Sequence, residues 1–349
     1  MFTKNTICIL TITLLSFFAF PLQAQDAVYP KKGEGITLLL KRYGRTGQDY
    51  HKQFIELNKN KLGPGKSLKM GVKYKLPPIK GKETTTRNTT KNSNTNTSTS
   101  KSKNYEPLFG NKLAHYKVES NELKGACFYL VSGHGGPDPG AIGKIGKIQL
   151  HEDEYAYDIV LRLARCLMTK GAKVHMIIQD AKDGIRDDKY LSNSKRETCM
   201  GSPIPFNQVR RLQQRCDKIN SLFKKDKELY KRAIFVHVDS RSKGHQTDVF
   251  FYHSDKSSES KHLARTMKNT FSHKYSKHQP GRGFTGTVSG RGLYVLKRTT
   301  PPSVFVELGN IQNSYDQQRI ILSNNRQALA NWLCEGFIAD YKRYKKKVK

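Results

Sequence analysis

Four segments of this 349-residue chain carry side chains able to do chemistry. The first is Ser132-Gly133-His134-Gly135-Gly136-Pro137-Asp138-Pro139-Gly140-Ala141-Ile142-Gly143, where glycines on both sides let the backbone turn tightly and hold an imidazole open to a ligand. A phosphate-cradling loop is the competing use of so much glycine, but this segment has neither GxGxxG nor GxxxxGKS/T spacing. The second is Glu152 in His151-Glu152-Asp153-Glu154-Tyr155, at the first turn of a helix ending near Gly171. The helix dipole favours an acid there with or without a ligand. The third, Val236-His237-Val238-Asp239-Ser240, puts a histidine at a strand end, where a lone imidazole is usually a satisfied polar group. The fourth is Val306-Glu307-Leu308-Gly309-Asn310, in which a carboxylate ends an almost wholly apolar strand. Burial would push such a group up toward the working range of a general acid or base.

Two imidazoles and a carboxylate are a donor set that suits catalytic zinc, with the fourth position left to water. Zinc lowers the pKa of that water to about 7 and polarises a carbonyl under attack. Periodicity alone does not bring these four side chains together; the elements that carry them must do so.

From Ala114 onward, short runs rich in β-formers alternate with amphipathic stretches. Strands are expected at Ala126 to Val131, Ala172 to Ile178, Ala233 to Val238, Val249 to Tyr252, Gly292 to Leu296 and Val304 to Val306. Helices are expected around Tyr155 to Leu167, Val209 to Ile219 and Leu263 to Phe271, and a last one over Asn324 to Tyr344 frays into a lysine cluster. This alternation predicts an α/β layered fold with a largely parallel central sheet flanked by helices. In such sheets functional groups gather beyond the carboxyl ends of the strands, where all four segments fall.

Residues 81–103 hold Lys, Thr, Asn and Ser with no large apolar side chain and cannot offset their own ordering entropy. They are read as a flexible linker, spanning 81–113, between a domain at 25–80 and a domain at 114–349. The first domain has helical spacing at Ile36, Leu39, Leu40 and Tyr43, closed by Gly44, then a second helix through Tyr50, Phe54, Ile55 and Leu57. It ends in a turn and a strand through Tyr74 and Leu76. Before it, Lys4, the apolar run from Ile7 to Phe20 and Pro21-Leu22-Gln23-Ala24 read as a signal peptide over 1–24, with cleavage after Ala24. Thr11, Thr13 and Ser16 interrupt that run, which is shorter than the roughly 20 residues a spanning helix needs. The mature chain is therefore expected to be exported, with no integral membrane span and, by preference, a periplasmic home.

Cys8 leaves with the signal, and the five cysteines left form no CxxC pair, which argues against a cysteine zinc site or a dense disulfide framework. Cys199 and Cys216 are the pair left open to bonding. The formal charge of +33 attracts polyanions, and for an exported chain cell-wall polymers are nearer than nucleic acid. The basic residues are scattered and belong to no nucleic-acid module, so no nucleic-acid partner is expected.

Two resemblances sharpen this. The first fifty residues or so of the mature chain, with Gly63-x-Gly65-x-x-Leu68 and Tyr74-x-Leu76-Pro77, resemble a LysM module, a small βααβ domain that binds N-acetylglucosamine-containing glycans. Residues from about 126 to 340 resemble the zinc amidases that hydrolyse the bond between N-acetylmuramic acid and L-alanine. That family's Gly-His-Gly-Gly and Asp-x-Gly-Ala motif stands here as Gly133 to Ala141, which makes His134 a zinc ligand. Counting back from Leu161-Arg162-Leu163 puts the ligating glutamate at Glu152, with Glu154 the alternative. Phe235-Val236-His237-Val238-Asp239 gives His237 as third ligand, and Pro302 to Gly309 gives Glu307 as the catalytic carboxylate. Arg291 to Leu296 is similar to the family's preceding strand, while Asn310 stands where the family has an aromatic. The segment Asp180 to Pro205 is long and charged, open to reading as a substrate or regulatory loop or as a solvated insertion. The resemblance implies Zn2+ as cofactor and peptidoglycan as substrate. A zinc peptidase acting on the stem peptide, or an inactive peptidoglycan-binding protein, are the rival readings.

Overall fold

The computed structural model of the protein describes residues 27–30, 34–43, 45, 48–77, 104–239 and 248–348. The signal segment and residues 81–103 of the linker lie outside the described residues. The chain divides into two compact units, 1–97 and 98–349.

In the first unit, β1 (Ala27–Val28), α1 (Ile36–Arg42), α2 (Gln48–Leu57) and β2 (Tyr74–Lys75) follow in that order, with β1 antiparallel to β2. Ile36, Leu39 and Leu40 lie on one face of α1 and share a small core with Phe54, Tyr74 and Leu76. Asn58 ties its ends together: the side-chain amide donates to the carbonyls of Phe54 (2.9 Å) and Lys75 (2.8 Å), and Oδ1 accepts from the Lys75 N–H at 2.8 Å.

The second unit begins with a short hairpin, β3 (Asn104–Tyr105) and β4 (His115–Tyr116). Residues 104–113, grouped with the linker by sequence, fold onto this unit because they are apolar where the linker is not: Phe109 is buried in the main core and Leu108 and Leu113 pack against it. After β5 (Ala126–Ser132), an antiparallel arm of β6 (Ile142–Ile145) and β7 (Ile148–His151) leads into α3 (Glu152–Thr169). Then come β8 (Lys173–Met176) and a small sheet of β9 (Ile178–Gln179), β10 (Thr198–Cys199) and β11 (Ser202–Pro203). The remaining elements are α4 (Gln208–Lys225), β12 (Tyr230–Asp239), β13 (Phe250–His253), α5 (Ser258–His278), β14 (Thr287–Gly290), α6 (Tyr294–Arg298), β15 (Ser303–Asn310), α7 (Ser314–Ile321) and α8 (Ser323–Lys347).

Six strands form the central sheet in the order β14-β13-β15-β12-β5-β8. Neighbours run parallel except β13 and β15, so the sheet is mixed and mostly parallel. Strand alternation builds a core on each face. Ala126, Phe128 and Leu130 of β5 join a core with α3, α5 and α8, whereas Cys127, Tyr129 and Val131 join one with α4 and α6. Both faces being covered, β5 is buried throughout and reads as a continuous apolar run.

The structure differs from expectation in two further places. Residues 292–296, expected as a strand, pass instead into the helix α6; a short apolar run does not distinguish a strand from a buried helical turn, and Val295 and Leu296 fill the core beside α4. The C-terminal helix does not fray at its lysines but continues to Lys347, held by Glu259 of α5, which takes Arg343 at 2.6 Å and Lys347 at 3.2 Å. The five cysteines of this unit are unbonded, Cys199 and Cys216 included. Among the described residues no helix is long and apolar enough to cross a membrane.

Candidate metal centre and active-site cavity

β5 stops at Ser132, and the chain reverses so sharply that His134 takes φ 60°, a left-handed backbone costly for any residue but glycine. The turn is held from three sides. The Gly133 N–H donates to the Val236 carbonyl of β12 (2.7 Å), the Gly135 N–H to the Asp138 carbonyl (2.8 Å), and the Arg215 guanidinium of α4 to the His134 carbonyl. Two glycines make room for the site itself. A Cβ on Gly133 would stand 2.3 Å from Cε1 of His237, and one on Gly140, at φ 70°, would stand 2.6 Å from Cδ2 of His134 and 2.7 Å from Oε2 of Glu152.

Glu152 opens α3 and is buried between the two histidines. Its Oε1 lies 3.0 Å from Nδ1 of His237 and accepts from the Val238 N–H at 2.9 Å. Its Oε2 lies 3.3 Å from Nε2 of His134 and accepts from the Ala141 N–H at 2.8 Å. One donor atom each from His134, Glu152 and His237 lie within 4.8 Å of one another. Glu154 is elsewhere: it takes Arg186 at 2.9 Å and the N–H of Ser194.

Each histidine is oriented from behind. His134 Nδ1 meets Asp138 Oδ2 at 2.9 Å, which leaves Nε2 facing Glu152, and Asp138 is itself fixed by Arg211 at 2.6 Å. The His237 ring stacks on Phe305 of β15, with centroids 4.2 Å apart and planes 18° from parallel. His237 and Glu307 are register partners on β12 and β15. Phe235, His237, Phe305 and Glu307, alternate residues of those two strands, all face one cavity of about 470 Å³ that also holds His134 and Glu152.

The charges of the site favour a cation. Burial opposes a charged His134, but the charge of Glu152 and the hydrogen bonds to Asp138 and Glu152 outweigh it and push its pKa up to about 10. Burial would likewise raise Glu152 and Asp138, yet their histidine partners hold both below the usual carboxylate range. His237 goes the other way: burial lowers it more than Glu152 raises it, so it is a neutral donor at pH 7. A pocket that draws a proton onto one imidazole, with a second neutral imidazole and an ionised carboxylate beside it, fits a divalent metal taking the proton's place.

Three supporting residues have no role assigned to them by the sequence. Asp138 had a signal, its place four residues after His134 in the same loop. Arg215 and Phe305 had none, being brought in by α4 and β15 from distant parts of the chain. The segment Asp180 to Pro205 adds no described residue to the cavity wall, and it mixes exposed residues with buried ones such as Leu191, Glu197 and Ile204. It braces the histidine loop from outside: Glu197 accepts from the Gly136 N–H at 2.8 Å, and Ile204 closes on Gly136. Arg186 in the same segment ties it to α3 through Glu154.

Known proteins resemble this chain over much of its length. An uncharacterized cell wall amidase of Bacillus anthracis is 26% identical over 250 residues, 69% of this chain and 40% of that protein. The protein named probable cell wall amidase LytH of Staphylococcus aureus is 27% identical over 225 residues, 62% of this chain and 59% of its own length. The chain thus spans between two fifths and three fifths of these relatives. Among solved structures, an N-acetylmuramoyl-L-alanine amidase from Clostridium difficile 630 is 20% identical, covers 63% of this chain and 98% of that one, and superposes with a TM-score of 0.46. The amidase AmiC2 of Nostoc punctiforme is 19% identical, over 64% of this chain and 99% of that one, with a TM-score of 0.44. Residues 129–339 match the sequence pattern of the family described as N-acetylmuramoyl-L-alanine amidase. By that match, which covers more than half of its length, the chain belongs to the N-acetylmuramoyl-L-alanine amidase family.

Proposed function

We propose that the protein is an exported zinc amidase that cuts the amide between N-acetylmuramic acid and L-alanine in peptidoglycan. The observation that carries this is the convergence of His134, Glu152 and His237 on one point, with Glu307 in the same cavity, inside the stretch that matches the family. His134, Glu152 and His237 would hold the metal. When bound there, zinc supplies Lewis acidity toward the scissile carbonyl and acidifies water.

The rest is done by the chain. Glu307 takes a proton from the attacking water on a carboxylate oxygen and passes it to the nitrogen of the leaving L-alanine, so that one group serves as base and then as acid. Its place on β15, next to His237 in register, fixes it by backbone rather than loop geometry. Asp138 holds the His134 ring with Nε2 inward, and Phe305 holds the plane of His237. Arg211, Arg215 and Arg291 line the same cavity and suit a substrate that carries carboxylates, as a stem peptide does.

The first unit, read as LysM-like, would keep the enzyme on its insoluble substrate, and the linker would raise the local concentration of the catalytic unit there. A signal peptide over residues 1–24 and a periplasmic location belong to the same reading. Digestion of purified sacculi followed by identification of the bond cut tests it.

A further inference from the structure

A second group of donors lies away from the cavity. Cys127, His175 and Asp226 each bring one ligand atom to within 4.8 Å of the others. They come from the start of β5, from β8 and from the residue capping the C-terminus of α4. His134 follows the other end of β5, so the length of that strand, about 20 Å, separates the two groups.

The cluster is built, not incidental. His175 Nε2 stands 3.1 Å from Asp226 Oδ2, and the Cys127 thiol contacts the same oxygen at 3.5 Å. Tyr129 orients both of the outer partners: its hydroxyl donates to Asp226 Oδ2 at 2.7 Å, and its ring lies parallel to that of His175, 7° apart with centroids at 5.5 Å. Holding ligands by a hydroxyl and a stacked ring in this way is what the surroundings of a metal site do. A cation already stands there, the Lys173 ammonium, 2.6 Å from Asp226 Oδ1. Lys173 is 43% exposed and has a second partner, Glu228, at 3.4 Å, so it can leave without being stranded.

We propose that Cys127, His175 and Asp226 form a second metal site, for zinc or another divalent ion that accepts sulfur and nitrogen, which binds in place of the Lys173 ammonium. The charges balance. In the lysine form an ammonium neutralises the Asp226 carboxylate and the thiol is protonated. In the metal form the lysine swings out, the thiol releases its proton to solvent, and a dication neutralises one thiolate and one carboxylate. The buried thiol gives up its proton as it binds the metal, as thiolate ligands do. A Cys, a His and an Asp would fill three of four tetrahedral positions, and the fourth is left to water.

The test uses cobalt(II) as probe on the full chain, stripped with a chelator, and does not read activity. Wild type is expected to take two equivalents and to show a near-ultraviolet thiolate-to-cobalt charge-transfer band. The band should persist in His134→Ala, which lowers the count to one, and vanish in Cys127→Ser, which also lowers it to one. Lys173→Ala, at an exposed position, should bring the band up at lower cobalt. His175→Ala, offered in case Cys127→Ser does not fold, should move half-saturation of the band to higher cobalt. No band in wild type or Lys173→Ala at saturating cobalt, a band that survives Cys127→Ser, or a half-saturation point unmoved by His175→Ala would overturn the proposal.

Discussion

His237 and Glu307 face each other as register partners on the adjacent parallel strands β12 and β15. Parallel neighbours stand about 4.8 Å apart and share a face of the sheet, so the proposed metal ligand and the proposed proton carrier are placed by ladder hydrogen bonds. Chemistry and metal binding should therefore separate cleanly between them.

Glu307→Gln should lower turnover by about 10²- to 10⁴-fold, the usual worth of a positioned acid or base, while metal content measured by mass spectrometry stays at the wild-type level. Loss of metal along with activity would show that Glu307 belongs to the ligand set instead.

Asp138→Asn keeps the size of the side chain but removes the charge that faces His134 Nδ1. Metal affinity should weaken by roughly 10- to 100-fold, as for other partners behind a ligating histidine. Competition with a chromogenic chelator reads this directly, and an unchanged affinity would leave Asp138 without the orienting role given to it here.

Gly140→Ala forces a side chain into the space between His134 and Glu152, on a backbone at φ 70°. The variant should lose metal and activity together, with a lower Tm of the catalytic unit. Gly146→Ala, also at positive φ but with open space around the Cβ, is the control: it should cost some stability and leave metal content alone.

Glu259 links α5 to the end of α8, and its partners set a pH dependence of stability. Its hydrogen bond with Arg343 leads, Lys347 adds to it against burial, and together they hold its pKa down to about 2 from the ordinary 4.5. A carboxyl lowered in the folded state contributes stability that is complete above about 4.5 and is lost as pH falls through about 2. Thermal melts of wild type should therefore drop between these values, and Glu259→Gln should flatten that part of the curve while lowering Tm at pH 7. Parallel curves for the two proteins would contradict it.

Much of the fold was legible because β5, β12 and β15 are buried on both faces and read as apolar runs, and because α3 and α4 keep helical periodicity. The antiparallel entry of β13 was not, since strand direction leaves no trace in composition. The choice between Glu152 and Glu154 turns on helix geometry. Two residues along α3 is a turn of about 200°, so Glu154 points to Arg186 on the far side from the histidines. The loop around His134 could be picked out by its glycines, but Arg215, which bonds the His134 carbonyl from eighty-one positions away, could not. Nor does composition separate residues 104–113 from the linker; it is Phe109, buried in the core, that ties them to the second unit.

Incubating the purified chain with peptidoglycan, with and without a metal chelator, and identifying the products by mass spectrometry tests the metal and the bond cut together. Free stem peptides that begin with L-alanine and glycan strands with unsubstituted muramic acid are expected, all lost with chelator and restored by zinc. Cleavage between two amino acids of the stem, or release of the same peptides with the chelator present, would contradict the proposed reaction.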